Sequence, residues 1–312
     1  MGLPSLPDDI ICEIFSLLDT EALKSCSLAG KALSCAAKPF IHRTLYLTPR
    51  SRAPRGSNVP GLWNELKGLQ VLGERGLLQH TRRVSISLSY NSTLFAHDLQ
   101  PHIQHLHTLT NLSSLQIYCL DTPSFFQKVE EYFGSFFGTL QSLELISPRG
   151  YHKQILYFIC QFPNLRDLRI KGVQGYTSST YNGDPRLNIK TSPPLDGTLD
   201  IQLKTGLVST RSDSLDSQLI VTNLTSLPSG LKFWILKLSG CGGNDPQLLV
   251  DACAQTLECM EFTGKWFGAS SLLIRDCPSL IGSTYQAPHP VPGSVSHDTL
   301  GSESLKSNYS TM

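Results

Sequence analysis

The chain lacks several features that would assign it to a common class of protein. It has no run of about 20 consecutive apolar residues, the length that a membrane helix requires. It also lacks excess charge, because 26 basic residues stand against 25 acidic ones and the formal net charge is +1. The sequence therefore predicts neither a membrane protein nor a nucleic-acid-binding protein, whose binding surface is usually strongly basic.

The cysteine pattern does not fit the usual disulfide and zinc frameworks. Nine cysteines are scattered along the chain, an odd number without any CxxC pair. The first residues also lack a basic stretch followed by an apolar one, so we expect no secretory signal peptide. Cysteines that stay reduced indicate a cytoplasmic or nuclear protein.

The familiar catalytic motifs are missing too. The sequence contains no GxSxG elbow, HExxH pair or dinucleotide-binding fingerprint. The cluster His102-x-x-His105-x-His107 has no carboxylate or thiol at ligand spacing beside it, which favours a surface cluster over a metal site. We therefore predict a non-catalytic protein without a metal or cofactor, and an enzyme is the least favoured hypothesis.

A helical pattern occupies the N-terminal part of the chain. Pro7 suits the first turn of a helix, where its missing N–H would have no intrahelical partner. Apolar residues then recur at i, i+4, i+7 and i+8, and they predict one apolar face made of Ile10, Ile14, Leu17 and Leu18. Thr20 is the predicted cap of a second helix, and the apolar pattern from Leu28 to Leu33 predicts a third.

The segment 3–47 resembles the F-box of fungal-type F-box proteins. Leu6-Pro7-Asp8-Asp9-Ile10, then Ile14-Phe15 and Leu17-Leu18, follow the family pattern LPxEIxxxIFxxL. The resemblance implies binding to a Skp-type adaptor and, through it, to the cullin and RING subunits of an SCF-type ubiquitin ligase. The positions that match the family's adaptor contacts are Leu6, Pro7, Ile10, Ile14, Phe15 and Leu18. An ordinary helical cap on a repeat domain is the alternative.

One position departs from the F-box pattern. Leu33 stands in the predicted third helix where the family usually has Trp or Phe. A smaller side chain there predicts looser packing of that helix and a weaker hold on the adaptor.

A repeated frame follows the helical segment. Residues 48–61 are rich in Pro, Gly, Ser and Arg and predict a linker. Beyond it, within 62–277, the frame Leu-x-x-Leu-x-Leu returns at intervals of 25 to 35 residues, which is typical of leucine-rich repeats. Five clear copies begin at Leu112, Leu140, Leu165, Leu231 and Leu257, and two weaker copies end in Val84-x-Ile86 and Leu199-x-Ile201. The asparagine that usually closes such repeats is absent or displaced.

The last two apolar positions of each frame predict a short strand, and helical patterns at 125–133 and 155–159 lie between strands. The predicted fold class is therefore α+β to α/β, with a small three-helix F-box-like module and a right-handed leucine-rich-repeat-like α/β solenoid. A compact α/β domain that contains leucine-rich strands is the alternative. Residues 176–197 predict a long loop, 278–312 predict a disordered tail, and 213–226 fit no repeat frame.

The residue between the two inward positions of each strand should point outward. This row and the next outward one supply a candidate face for binding a target, made of Gln116, Tyr118, Glu144, Arg169, Lys171 and Glu261. The resemblance then implies a substrate-recruiting adaptor of an SCF-type ubiquitin ligase, with an unknown protein as target. The alternative is a leucine-rich-repeat interaction scaffold without any role in a ubiquitin ligase, whose outer sheet face is simply solvated.

Overall fold

The protein is described here by a computed structural model, which covers residues 6–48, 63–65, 68–87, 103–118, 129–150, 152–175, 193–202, 219–240, 245–263 and 277–286. Within these segments the fold is mixed α/β. Three helices come first, and a parallel sheet with connecting helices follows. The predicted mixed α/β class is confirmed.

Residues 8–41 fold into three helices, α1 (Asp8–Leu17), α2 (Thr20–Ala29) and α3 (Lys31–Ile41). We call these three helices the helical module. α1 begins directly after Pro7, and Asp8 and Asp9 lie in its first turn, where the helix dipole favours negative charge.

The start of α2 differs from the prediction. The Asp19 carboxylate accepts a hydrogen bond from the backbone N of Ala22 at 2.8 Å and so caps the helix. The predicted cap, Thr20, is wrong by one position, because Thr20 is the first residue of α2 and a carboxylate precedes it.

The helical module has a small core of its own. Its fully buried members are Ile11, Phe15, Leu23 and Ala37. Phe15 meets Phe40 edge to face, with ring centroids 6.0 Å apart, a geometry that aromatic rings favour. Leu33 packs against the same core. The aromatic rings of this core come from Phe15 in α1 and from Phe40 at the end of α3.

The predicted apolar face of α1 is not the side of the helix that meets the core of the helical module. The stripe that faces the core passes through Ile11 and Phe15, while Ile10 and Leu17 are exposed. Ile14 is only partly buried and lies between the two sets. With 3.6 residues per turn, two neighbouring apolar stripes overlap in sequence, and the spacing alone does not say which of them faces inward.

Ten strands of the described residues form one sheet: β1 (Thr44–Thr48), β2 (Trp63–Glu65), β3 (Arg83–Ser87), β4 (Ser114–Tyr118), β5 (Ser142–Ile146), β7 (Asp167–Lys171), β9 (Leu195–Gln202), β10 (Leu231–Ser239), β11 (Cys259–Thr263) and β12 (Gly282–Gln286). Their order is β12-β11-β10-β9-β7-β5-β4-β3-β1-β2, and every neighbouring pair is parallel. β6 (Arg149–Gly150) and β8 (Gln174–Gly175) form a separate parallel pair.

Parallel neighbours need a crossover connection, and six of the connections between strands of the main sheet contain a described helix. In the described residues these are α4 (Gly68–Glu74), α5 (Ile103–Leu106), α6 (Val129–Phe133), α7 (His152–Cys160), α8 (219–225) and α9 (Asp245–Cys253), with short 3₁₀ turns at Leu78–His80 and Gly134–Phe136. α6 and α7 lie where the sequence predicts helices. α8 occupies much of the stretch that fits no repeat frame. That frame describes strands, whereas this stretch forms a helix whose Ile220, Val221 and Leu224 are buried in the core.

The buried side of the sheet repeats the same positions in each strand. Leu115, Leu143, Leu168 and Leu199 are paired across neighbouring strands and are fully buried. Together with the aromatic rings of the helical side, including the edge-to-face pair Phe133 and Phe158, they form one continuous core. The predicted strand frames, including the two weaker copies, are confirmed except at β10.

We call each strand of the main sheet, together with the residues that directly precede it, a unit. Hydrogen bonds at the start of the strands join each unit to the unit before it. The backbone N atoms of Arg166 and Asp167 both donate to the carbonyl O of Gln141, at 2.8 and 2.9 Å. Side chains add to this pattern, because Asn111 Nδ2 donates to the carbonyl O of Gln79 at 2.8 Å and Asn164 Nδ2 to that of Gly138 at 2.7 Å. Two asparagines thus bind the preceding unit from a position directly before the first leucine of the frame.

β9 and β10 meet through a bulge. Phe233 pairs with Gly197 but Ile235 pairs with Thr198, so Trp234 is an extra residue in the ladder. Gly197 has a φ of +94°, and a Cβ built on it would collide with the backbone carbonyl of Arg166 in the adjacent unit. The backbone at this position therefore requires glycine.

The bulge corrects the predicted frame of β10. The sequence places Trp234 and Leu236 on the buried side of this strand. In the structure, Leu236 and Leu238 occupy the two inward positions and Trp234 is exposed at 37%. The extra residue shifts the alternation of side chains, so the outward residue between the two leucines is Lys237.

The predicted segment boundaries also change. β1 begins only three residues after α3, inside the segment assigned to the helical module, and it pairs with both β2 and β3. The predicted linker 48–61 starts in the last residue of β1, and the rest of it lies outside the described residues. It therefore connects two strands of one sheet and does not separate two modules.

The C-terminal boundary moves as well. β12 lies inside the predicted disordered tail, where it pairs with β11 over five residues. The remainder of that tail, 287–312, lies outside the described residues, as does most of the predicted loop 176–197. That loop ends by Pro194, because β9 begins at Leu195.

Candidate functional site

One face of α1 exposes apolar side chains. Ile10 is exposed at 40% and Leu17 at 82%, and the partly buried Ile14 lies between them on the helix. We call Ile10, Ile14 and Leu17 the α1 stripe. Residues at i, i+4 and i+7 share one side of a helix, so these three present a continuous apolar strip. Such a strip suits contact with another protein surface.

The six predicted adaptor contacts fall into three groups by their exposure. Pro7 and Ile10 are exposed, and Leu6, Ile14 and Leu18 are partly buried against the core of the helical module. Phe15 is buried at 1% exposure, so its ring supports this surface from beneath and is not accessible to a partner in this structure. Leu17 is absent from the predicted contacts, although it is the most exposed apolar residue of α1.

The outer face of the sheet carries a second candidate site. Gln116, Glu144, Arg169, Asp200, Lys237 and Glu261 are paired in this order across six neighbouring strands. We call these six residues the polar row. The register confirms that the predicted members Gln116, Glu144, Arg169 and Glu261 share one row. The sequence frame misses Lys237, because the bulge at Trp234 shifts the alternation in β10.

Direct contacts join the polar row at both ends. Gln116 Nε2 donates to Glu144 Oε2 at 2.7 Å, and Gln116 Oε1 accepts from Ser85 Oγ at 2.7 Å. Lys171, in the next outward row, forms an ion pair with Glu144 at 2.7 Å. At the other end, Lys237 forms an ion pair with Glu261 at 2.8 Å. Much of the hydrogen-bonding capacity of this face is therefore used within the protein itself.

Charges alternate along the polar row from Glu144 through Arg169, Asp200 and Lys237 to Glu261. Opposite charges on neighbouring strands attract each other and stabilise the pairing. With Lys171 included, three acidic and three basic side chains balance, so the polar row and Lys171 together have no net charge to attract a phosphate group or an acidic peptide. Contacts with a partner here would have to replace pairs that already exist.

The predicted face is accessible only in part. Tyr118, a predicted contact, is exposed at only 7%, and Thr48, Ser85 and Ser87 on the same face are also buried. Arg169 is exposed, and Asp200, Lys237 and Glu261 are half-buried. The part of the outer face that a target could reach therefore extends from β5 to β11.

We expect Asp200→Asn to stabilise the fold at neutral pH. Burial raises the pKa of the Asp200 carboxyl above its usual 3.8, although Lys171 and Arg169 oppose the shift. The ionised form therefore lowers the free energy of unfolding above the raised pKa, and this loss disappears as the pH falls toward 3.8. Thermal unfolding at several pH values should show an advantage for the variant that shrinks at acidic pH. An advantage independent of pH would contradict this account, and Glu258→Gln, at an exposed position, is the control.

The described residues contain no group of three or more His, Cys, Asp or Glu side chains that could hold a metal ion. His107 is near the carbonyl O of Glu131, with its Nε2 at 2.8 Å, and His105 lies beside Gly73. Burial raises the pKa of the Cys160 and Cys253 thiols to about 12, so both are protonated at neutral pH and neither is an activated nucleophile.

Two comparisons of the sequence with known proteins gave no match. No protein-family model matches the chain, and no curated protein matches its sequence. Among the described helices, none has the length and apolar character needed to cross a bilayer. The two exposed surfaces, the α1 stripe and the polar row, are therefore the basis for assigning a function.

Proposed function

We propose that this protein recruits target proteins to an SCF-type ubiquitin ligase. In this proposal the helical module is an F-box that binds a Skp-type adaptor, and the adaptor connects it to the cullin and RING subunits. The sheet and its helices form a divergent leucine-rich-repeat solenoid that binds a protein target. The protein contributes position and effective concentration, and the ubiquitin-conjugating enzyme performs the chemistry.

The observation that carries the proposal is the exposed α1 stripe. The segment that resembles the F-box folds as three helices, and its first helix exposes Ile10 and Leu17 beside the core built on Phe15. A helix whose exposed side is apolar gains free energy when a partner covers it, about 25 cal/mol for each Å² of apolar surface. An adaptor that covers α1 is the partner that the resemblance implies.

The repeated strand register supports the proposal that the sheet and its helices form a repeat solenoid. Each strand from β3 to β11 pairs with the next strand of the main sheet in chain order, and the leucine positions align from strand to strand. Units that contact mainly their neighbours are typical of repeat proteins, which present extended faces to other proteins. The accessible part of the polar row is the candidate target face.

The connection between the two parts supports a recruiting role. β1 follows α3 after only two intervening residues, His42 and Arg43, and the carbonyl O of His42 accepts a hydrogen bond from Thr81 Oγ1 at 3.0 Å. A short and hydrogen-bonded connection holds a bound target at a defined distance from the adaptor, which favours transfer to particular lysines.

The proposal is tested by mixing the purified full chain with a purified Skp-type adaptor and following the complex by size-exclusion chromatography and calorimetry. We expect a 1:1 complex whose binding heat capacity is negative, because apolar surface is buried. A folded full chain that does not bind the adaptor would contradict the proposal. The protein would then be better described as an interaction scaffold without a role in a ubiquitin ligase.

A further inference from the structure

An open polar groove lies along the edge of the sheet where the strands begin. Residues directly ahead of β4, β5 and β7 line it, so the groove spans three consecutive units. Its volume is about 430 Å³, which lies within the range of about 300 to 1,000 Å³ that ligand-binding sites occupy. We call it the edge groove, and Ser113, Gln141 and Arg166 each line it from one of the three units.

These three residues occupy the same position in their units. The carbonyl O of Ser113 accepts a hydrogen bond from the backbone N of Gln141 at 2.9 Å, and the carbonyl O of Gln141 accepts one from the backbone N of Arg166 at 2.8 Å. Equivalent positions on neighbouring strands lie about 5 Å apart and direct their side chains the same way. Gln141 and Arg166 are exposed, and the leucine directly before each of them is buried. An amide and a guanidinium group therefore lie side by side in the edge groove.

The edge groove combines polar groups that the fold already holds with groups that it leaves available. Asn164 Nδ2 donates to the carbonyl O of Gly138 at 2.7 Å, and both residues line the groove. The hydroxyl of Ser113 donates to a carbonyl of the preceding unit at 3.3 Å. In contrast, the side chains of Gln141 and Arg166 form no hydrogen bond or ion pair within the described part of the chain. The groove is thus fixed by internal bonds, and two strong hydrogen-bonding groups stay open to a ligand.

The charge of the edge groove is positive. Among the described residues that line it, Arg166 is the single charged one. Asp167 follows Arg166 in the chain, but it belongs to the row that pairs Ser142 with Thr198 across the strands and does not line the groove. The charge of the groove therefore suits a ligand with one negative group.

We propose that the edge groove binds an extended segment of another polypeptide that carries one acidic side chain. The planar guanidinium of Arg166 donates two parallel hydrogen bonds to the carboxylate. The amide of Gln141 both donates and accepts, so it bonds to the backbone of the bound segment. Two strand spacings separate Ser113 from Arg166, about 10 Å, and an extended polypeptide that rises about 3.3 Å per residue covers this distance with about three residues.

A polypeptide suits this site better than a nucleic acid, because nucleic-acid binding relies on several cations that neutralise phosphates and the groove supplies one. The α1 stripe takes no part in the site, and the polar row lies on the outer face of the sheet. The inference therefore goes beyond the recruiting role and does not depend on it.

The test is a fluorescence anisotropy titration of two labelled glycine-serine peptides with the purified full chain. The peptides differ at one central residue, which is glutamate in the acidic probe and glutamine in the neutral probe. Arg166→Gln removes the guanidinium group, and Gln141→Ala removes the open amide. Arg75→Gln is the matched control, because Arg75 is exposed outside the groove and also forms no ion pair among the described residues.

We expect the wild-type chain to bind the acidic probe about tenfold more tightly than the neutral probe, because the hydrogen bonds to Arg166 are charge-assisted. Arg166→Gln should remove most of this preference. Gln141→Ala should weaken the binding of both probes by about threefold, and Arg75→Gln should change both affinities by less than about twofold. If Arg166→Gln disturbs folding, Arg166→Lys keeps the charge without the planar fork and should still lower the preference by more than about threefold.

Three results would overturn the proposal. They are equal affinity of the folded wild-type chain for the two probes, retention of the preference by folded Arg166→Gln, and an equal loss of preference in Arg75→Gln. Displacement of the acidic probe by free glutarate as readily as by the unlabelled acidic peptide would also overturn it, because the ligand would then be a small carboxylate and not a polypeptide.

Discussion

Replacing Ile10 and Leu17 together by aspartate should abolish binding to a Skp-type adaptor. Both side chains are exposed on the α1 stripe, so the substitutions place two carboxylates in the interface that we propose. Burial of an unpaired carboxylate in an apolar interface is expected to cost about 3 kcal/mol or more, roughly a 150-fold loss of affinity, even for one of the two. Calorimetric titration of the variant with the adaptor measures the loss.

The same variant should remain folded, because neither side chain belongs to the core of the helical module. An aspartate at position 10 lies in the favourable first turn of α1, and one at position 17 lies at the unfavourable end, so their effects on the helix largely cancel. Val71→Asp is the matched control, since Val71 is an exposed apolar residue of α4 in the sheet domain. Equal losses in the control and the test variant, or undiminished binding by a folded test variant, would contradict the assignment of the α1 stripe.

Replacing Gly197 by alanine should be among the most destabilising single substitutions on the sheet. The new Cβ would collide with the backbone carbonyl of Arg166, and a φ of +94° is strained for any residue with a side chain. We expect a loss of about 3 kcal/mol or more in the free energy of unfolding, from conformational strain and displacement of the neighbouring strand. Urea denaturation measures this loss.

Two other glycines separate the causes of that loss. Gly230 has a φ of +68° but open space around its Cα, so Gly230→Ala should cost only about 1 kcal/mol. Gly282 has open space and no positive φ, so its alanine variant should be close to neutral. If Gly197→Ala were no worse than Gly230→Ala, close contact between β9 and the adjacent unit would not be the reason for this glycine.

Most strands of the sheet could be predicted because alternate residues face the core, and this alternation appears in the sequence as apolar residues at every second position. In β4, β5 and β7 the two inward residues of each strand meet the core, and a period of two is visible in the sequence. β12 could not be predicted in this way, because Gly282–Gln286 has no apolar alternation and joins the sheet through backbone pairing with β11. Pairing through backbone hydrogen bonds does not require particular side chains, so the residue types do not reveal it.

The two candidate sites were predictable to different degrees. The polar row follows from the strand frames, except at Lys237, where one extra residue at Trp234 changes which side chains face outward. For the helical module, the helices were predictable but the direction of the α1 stripe was not. That direction depends on whether Ile11 and Phe15 or Ile10 and Leu17 meet α2 and α3, which is a property of the packed module.

The position of β1 also limits how this protein can be divided or recombined. β1 follows the helical module in the chain, yet it lies between β2 and β3 and is the strand with which β2 pairs. An exchange of N-terminal modules at a cut after residue 48 would remove an interior strand and separate β2 from the sheet. A cut before Thr44 would leave the sheet whole, so the transferable cassette ends with α3.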